Sequence, residues 1–514
     1  MRITRRTAIQ LLAGALPACS LARALAESAA QSAGPFTGTP ESLAAYRCPD
    51  WFRDAKFGIW AHWGPQSAPE EGDWYARNLY LQGTRQYNSH LERYGHPTRS
   101  GYKDIIPTWT GERFDPEHLI SLYQRAGAKY FVSMGVHVDN FDLWNSKHQR
   151  WNAAAMGIKK DVVGLFRQAA RNHGLRFGVS DHLWMAYKWM SVAHASDLTG
   201  RLAGMPYDGI DPRWNDLYGG CPDIYRELPW DEDHIPDAWK RHWFLRIQDL
   251  IDQHEPDLLY SDGQIPFEEW GRELVAHFYN QNLQQHGGKL EAVYTSKRTS
   301  DSEAGLCVFD KERGVADGIR PQPWQTDTCI GNWHYDRKVT YKTPKRVIDI
   351  LLDVVSRNGN LLLNFPLNCQ GELDAEEQKI LAGITAWMNI NHEAIHGTRP
   401  WKIFGEGPNL VKPDSKQRRT EDNRIDYTAE DVRFTTKGKT LYTFFLGWPE
   451  QSQLTITPLA TNRPYVTGRI QQVKLLGSEK TLSWKHDATG LTVQLPAEKL
   501  CDFACALKIE GLET

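Results

Sequence analysis

Short apolar runs alternate with amphipathic helical segments over the first 400 residues, which predicts an α/β chain built as a (β/α)8-like barrel. Beyond residue 400 the helical period gives way to period-two alternation, which predicts a C-terminal antiparallel β-sandwich. The length, 514 residues, calls for two folded domains with sizeable cores. The division expected is 1–26 as an export signal, 27–400 as the barrel and 401–514 as the sandwich.

The chain opens MRITRRTAIQLLAGALPACSLARALA. Arg5 and Arg6 precede an apolar run at 8–18 that is too short to cross a bilayer, and Ala24-Leu25-Ala26 offers a small-residue cleavage site. This resembles a twin-arginine signal and predicts a periplasmic or secreted protein. Lipid attachment at Cys19 is the alternative, through a lipobox spoiled by Pro17. No later segment is apolar enough for a membrane span.

Eight strand candidates follow, at 57–62, 129–137, 175–182, 257–262, 291–296, 306–312, 324–330 and 360–366. Helical spacing of apolar residues marks 116–126, 161–172, 236–254, 267–285 and 345–356 between them. The later units are short and irregular, so the barrel is expected to be distorted. Residues 185–236, rich in Trp, Tyr, Pro and Asp, form an insertion after the third strand, at the barrel end where clefts are built. The sandwich strands are expected at 432–436, 440–446, 453–456, 470–476, 491–495 and 504–509, and the charged stretch 412–423 reads as a loop.

Composition narrows the function classes. Lys and Arg number 60 against 63 Asp and Glu, a net charge of −3, so no nucleic-acid partner is expected. The eight cysteines fit no zinc spacing; one or two disulfides suit an exported chain, with unreadable pairing. Twenty tryptophans are more than core packing usually recruits, and half of them suit stacking on sugar C–H faces.

Residues 51–75, WFRDAKFGIWAHWGPQSAPEEGDWY, deliver His62, Trp63, Asp73 and Trp74 into polar loops. Residues 256–263, PDLLYSDG, end a buried strand on Asp262 at a glycine turn. Residues 129–146, KYFVSMGVHVDNFDLWNS, end the second strand at His137. Together these blocks resemble the α-L-fucosidases of glycoside hydrolase family 29, whose patterns run close to WFxxAKFGIFxHWG…EWY, EPDLLWFDG and KYxVLTAKHHDGFxLWxS. The resemblance spans 40–401 and includes 354–373, VVSRNGNLLLNFPLNCQGEL.

That resemblance implies a retaining exo-α-glycosidase with Asp262 as nucleophile. It points to Glu312 in DKERG as acid/base, with Glu303 in reserve and Asp310 third. An ion pair with Arg313 would lower the Glu312 pKa, against that role. His62, Trp63, Asp73, Trp74, His137, His182, Trp184 and, by a looser match, Arg298 are the expected sugar contacts. Val138 stands where the family has a second histidine, and Gln325 replaces a common glutamate. The third strand lacks the family's tyrosines and offers His182 and Trp184 instead. Terminal α-L-fucose on a glycan is the implied substrate. α-L-Galactose on the same scaffold, or a silent carbohydrate-binding protein, are the alternatives. No cofactor and no metal are expected: His137, Asp139 and His182 come without an HxH or HExxH pattern.

Overall fold

A computed structural model describes residues 34–410 and 426–514. The expected export signal with Cys19, and the charged stretch 412–423, lie outside the described residues.

Eight parallel strands close into a barrel: β1 (Phe57–Ala61), β2 (Tyr130–Val136), β3 (Arg176–Asp181), β4 (Leu258–Ser261), β5 (Val293–Ser296), β6 (Val308–Asp310), β7 (Trp324–Cys329) and β8 (Gly359–Asn364). Runs such as FGIWA, YFVSMGV and GNLLLN are buried at every position, as strands covered on both faces must be. The irregularity expected of the later units is centred on β6. It has three residues, pairs with each neighbour at only two positions, and is joined to β7 by a segment with no helix among the described residues.

Local chemistry sets the helices. Asp161 caps Val162–Asn172 by accepting from the Gly164 amide at 2.8 Å, and Thr343 with Pro344 starts Pro344–Val355, whose face from Val347 to Val355 packs against β8. The helix Ala375–Asn391 was not read from the sequence, although Asp374 and Glu377 form a capping box at its start.

The C-terminal region holds β9 (Arg399–Glu406), β10 (Val432–Lys437), β11 (Thr440–Phe445), β12 (Gln453–Ile456), β13 (Gly468–Leu475), β14 (Ser483–Asp487), β15 (Gly490–Gln494) and β16 (Cys505–Leu512). They form a five-stranded sheet, β13-β16-β11-β10-β9, and a three-stranded sheet, β12-β15-β14. Alternation along β11 sends Leu441 and Phe445 into the core between the sheets and Tyr442 and Phe444 into the core shared with the barrel. Asp353, on a barrel helix, locks this contact. It binds Arg433 at 2.6 Å and Arg357 at 2.8 Å, and accepts from the Tyr427 hydroxyl at 2.5 Å. No disulfide joins the cysteines of the described residues; Cys501 and Cys505 bring their sulfurs to 3.6 Å.

Candidate active site

Six strands in succession each hand a polar side chain to one pocket of about 510 Å³. His62 follows β1, His137 follows β2, His182 follows β3, Asp262 follows β4, Lys297 follows β5, and Glu312 comes two residues after β6. This is the C-terminal mouth of the barrel, where barrel enzymes hold their chemistry. Two glycines make the delivery work. Gly263 has φ +117°, and a Cβ there would lie 2.9 Å from the Trp184 ring. Gly135 sits where the β2–β3 register shifts, and a Cβ there would meet the Ser180 carbonyl at 2.9 Å, so the bulge that aims His137 requires glycine.

Lys297 bridges the two carboxylates, at 2.6 Å from Asp262 Oδ1 and 2.8 Å from Glu312 Oε2. Those two oxygens therefore lie no further apart than the sum of the two distances, which leaves no room for the wider spacing of about 6.5–9.5 Å that an inverting mechanism uses. Burial pushes the Asp262 carboxyl up, but the Lys297 ammonium and His182, whose Nδ1 donates to Asp262 Oδ2 at 3.0 Å, outweigh it and hold the group far below the usual carboxylate range. Glu312 moves the other way: desolvation, with the Asp327 and Asp262 charges, raises it despite Lys297. The same pocket thus pushes the two carboxyl pKa values apart, Asp262 down and Glu312 up.

Hydrogen bonds behind the imidazoles fix their tautomers. Asn364 Oδ1 accepts from the His62 backbone N–H at 2.8 Å and from Nδ1–H at 3.0 Å, while its amide nitrogen donates to the Trp333 carbonyl; His62 Nε2 is left as an acceptor. Gln66 Oε1 accepts from the Ala76 amide at 3.3 Å, so its Nε2 donates to His137 Nδ1 at 2.9 Å and puts the His137 proton on Nε2. His182, with Nδ1–H given to Asp262, keeps a buried Nε2 with no protein partner among the described residues. Burial and the neighbouring rings lower the His62 and His137 pKa values well below the ordinary imidazole value, so both rings are neutral.

One ring nitrogen from each of these three histidines lies within 4.8 Å of the others, which makes them the one group of the described residues with the spacing of a metal site. The Gln66 bond works against ligation, because it leaves His137 a donor rather than a lone pair. Two acceptors and one donor instead suit a cluster of hydroxyls. Asp139, considered with His137 from the sequence, accepts from Tyr102 at 2.5 Å and is not part of that group.

Several expected sugar contacts lie elsewhere. Trp63 is 1% exposed, donates to the Asn368 carbonyl and packs on Trp109 and Phe114, because the side chain after His62 turns back into the core. Asp73 does not line the pocket; its Oδ1 accepts from the His334 amide at 2.7 Å and secures that loop. Trp184 supports from behind, donating to the Asp262 carbonyl at 2.6 Å. Arg298 is exposed at a helix start, and its neighbour Lys297 enters the pocket instead. Trp74 lines the pocket wall.

Among the acid/base candidates, Glu303 lies on a helix outside the pocket. Asp310 is wholly buried, accepts from Gln325 at 2.9 Å, and is raised by burial and by Asp327. Arg313, the feared partner of Glu312, turns to the Trp333 ring and Cys329. Lys297, Gln66, Trp60 and Trp230 were not singled out from the sequence. Lys297 was one position away from the arginine that was chosen.

Paired carboxyls with pKa values shifted in opposite directions at the mouth of a parallel barrel, with imidazoles and indoles around them, are the arrangement of a glycoside hydrolase. Residues 23–393 match the family profile described as Alpha-L-fucosidase, and residues 425–510 match that of the Alpha-L-fucosidase C-terminal domain. The chain belongs to the alpha-L-fucosidase family. Tissue alpha-L-fucosidase of Rattus norvegicus is 26% identical over 493 residues, 92% of each chain, and that of Homo sapiens is 26% identical over 511 residues, 95% of each. The fold is shared with the Thermotoga maritima alpha-fucosidase solved with fucose, at TM-score 0.71 and 23% identity over 92% of this chain and all of that one.

Proposed function

We propose that the protein is a retaining exo-α-L-fucosidase that removes terminal α-L-fucose from glycans. The observation that carries this reading is Lys297 set between two carboxyls whose environments push their protonation apart. Asp262, ionised, attacks the anomeric carbon as Glu312 passes its proton to the leaving oxygen. Glu312 then takes a proton from water, which attacks the same carbon and releases the sugar with its original configuration. His62, His137 and His182 bind hydroxyls. α-L-Galactose, which differs by a hydroxyl at C6, is the alternative sugar on the same scaffold.

Asp262→Ala should lose about three or more decades of kcat with the fold intact, and azide should restore turnover of an activated glycoside as a β-glycosyl azide. Loss of Glu312 should slow substrates with poor leaving groups far more than those with good ones. Near-normal activity of Asp262→Ala would remove it from the mechanism. A panel of aryl fucosides and galactosides separates the two sugars. The twin arginines support export, with a mature protein beginning at Glu27, which mass spectrometry of the processed chain would read.

A further inference from the structure

Trp230 is 57% exposed, more than any other large apolar side chain among the described residues except Leu198, and it shares a pocket wall with Trp74 and Glu312. Its ring centroid lies 6.5 Å from that of Trp74, with the planes at 60°, so the two indoles form an open corner. A flexible loop would fold such a side chain onto the surface. This loop is pinned on both sides. Arg77, 1% exposed, donates to the carbonyls of Trp189 at 2.5 Å, Tyr225 at 2.5 Å, Arg226 at 3.1 Å and Glu227 at 3.0 Å. Beyond the indole, Lys188 pairs with Asp231, and Glu232 accepts from Gln264 at 2.6 Å and the Phe267 amide at 3.1 Å. A buried guanidinium that spends its donors on loop carbonyls holds the indole presented to solvent.

Glu312 is 42% exposed at the pocket rim, and a general acid must face the leaving oxygen, so the group attached to that oxygen lies on this side. We propose that Trp230 and Trp74 form a leaving-group subsite that stacks the pyranose ring to which the terminal sugar is attached. The indole faces suit C–H-rich sugar faces, and the pinned loop means little ordering is left to do on binding. The proposal rests on the fucosidase reading above and adds what that reading leaves open, the chemistry of the group released.

The test compares kcat/KM for a fucosylated oligosaccharide with that for α-L-fucosyl fluoride, whose leaving group has no ring. Trp230→Ala should lower the oligosaccharide-to-fluoride ratio on the order of tenfold, and Trp230→Phe should restore most of it. Excess acceptor sugar should divert less of the glycosyl intermediate to transfer in Trp230→Ala than in the wild type. An unchanged ratio in an active Trp230→Ala enzyme overturns the subsite alone. A wild-type protein that turns over neither substrate overturns the fucosidase reading and the subsite with it.

Discussion

Lys297 serves two carboxyls that must be in opposite protonation states, and its removal should move both in the same direction. In Lys297→Met, Asp262 loses the cation that outweighs its burial and Glu312 loses the charge that opposes its rise, so both pKa values increase. Turnover needs Asp262 ionised and Glu312 protonated. The acid limb of kcat/KM against pH should therefore shift upward with Asp262, and the alkaline limb upward with Glu312; a stationary acid limb would count against the bridge. Gln66→Glu replaces an amide donor by a carboxylate that takes the His137 Nδ1 proton, turning Nε2 from donor to acceptor. Ring-nitrogen NMR should show the tautomer change, with roughly a tenfold to hundredfold loss of kcat/KM. A substrate fluorinated at the contacted hydroxyl should be tolerated by the wild type, since fluorine accepts but does not donate. Asp262, His62 and His137 were legible because each follows a strand within a recognisable block, and His182 because it follows the third strand. Lys297 and Gln66 were not, because their importance arises from partners 35 and 71 residues away.

At the scale of elements, the bulge in β2 is a device for aiming His137. Gly135→Ala would drive a methyl into the Ser180 carbonyl and Leu250, so the strand must shift. The expected result is weaker fucose binding by calorimetry with a lowered unfolding midpoint; unaltered affinity would mean that the bulge does not set the ring position. Elements with two buried faces were readable from the sequence, as all eight barrel strands show. Edges were not. β9 contains Pro400 and Gly405, and such a strand survives only at a sheet edge, where it indeed lies. β14, SWKHD, has no buried position to give it alternation. The three-residue β6 was readable only as a weak unit, yet it feeds Glu312.

At the scale of the molecule, Asp353 ties barrel to sandwich through Arg433, Arg357 and Tyr427. Asp353→Asn leaves two cations facing each other in the interface and should cost about 3–5 kcal/mol, seen as a lower midpoint in denaturant. Burial raises the Asp353 carboxyl, but the two guanidiniums outweigh it and hold the group below its unfolded value. Its contribution is therefore complete above the ordinary carboxylate range and is lost as pH falls through the depressed folded value. A native protein whose stability declines well before that acid range would owe the decline to other groups. Barrel closure has its own consequence in time. His62 receives its tautomer from Asn364, 302 residues later in the chain, across the β1–β8 seam. At ordinary synthesis rates the first half of that bond waits roughly 15 to 60 s for the second. A growing chain thus carries Asp262 and the three pocket histidines long before they can act together, and the enzyme becomes competent only when its last barrel strand arrives.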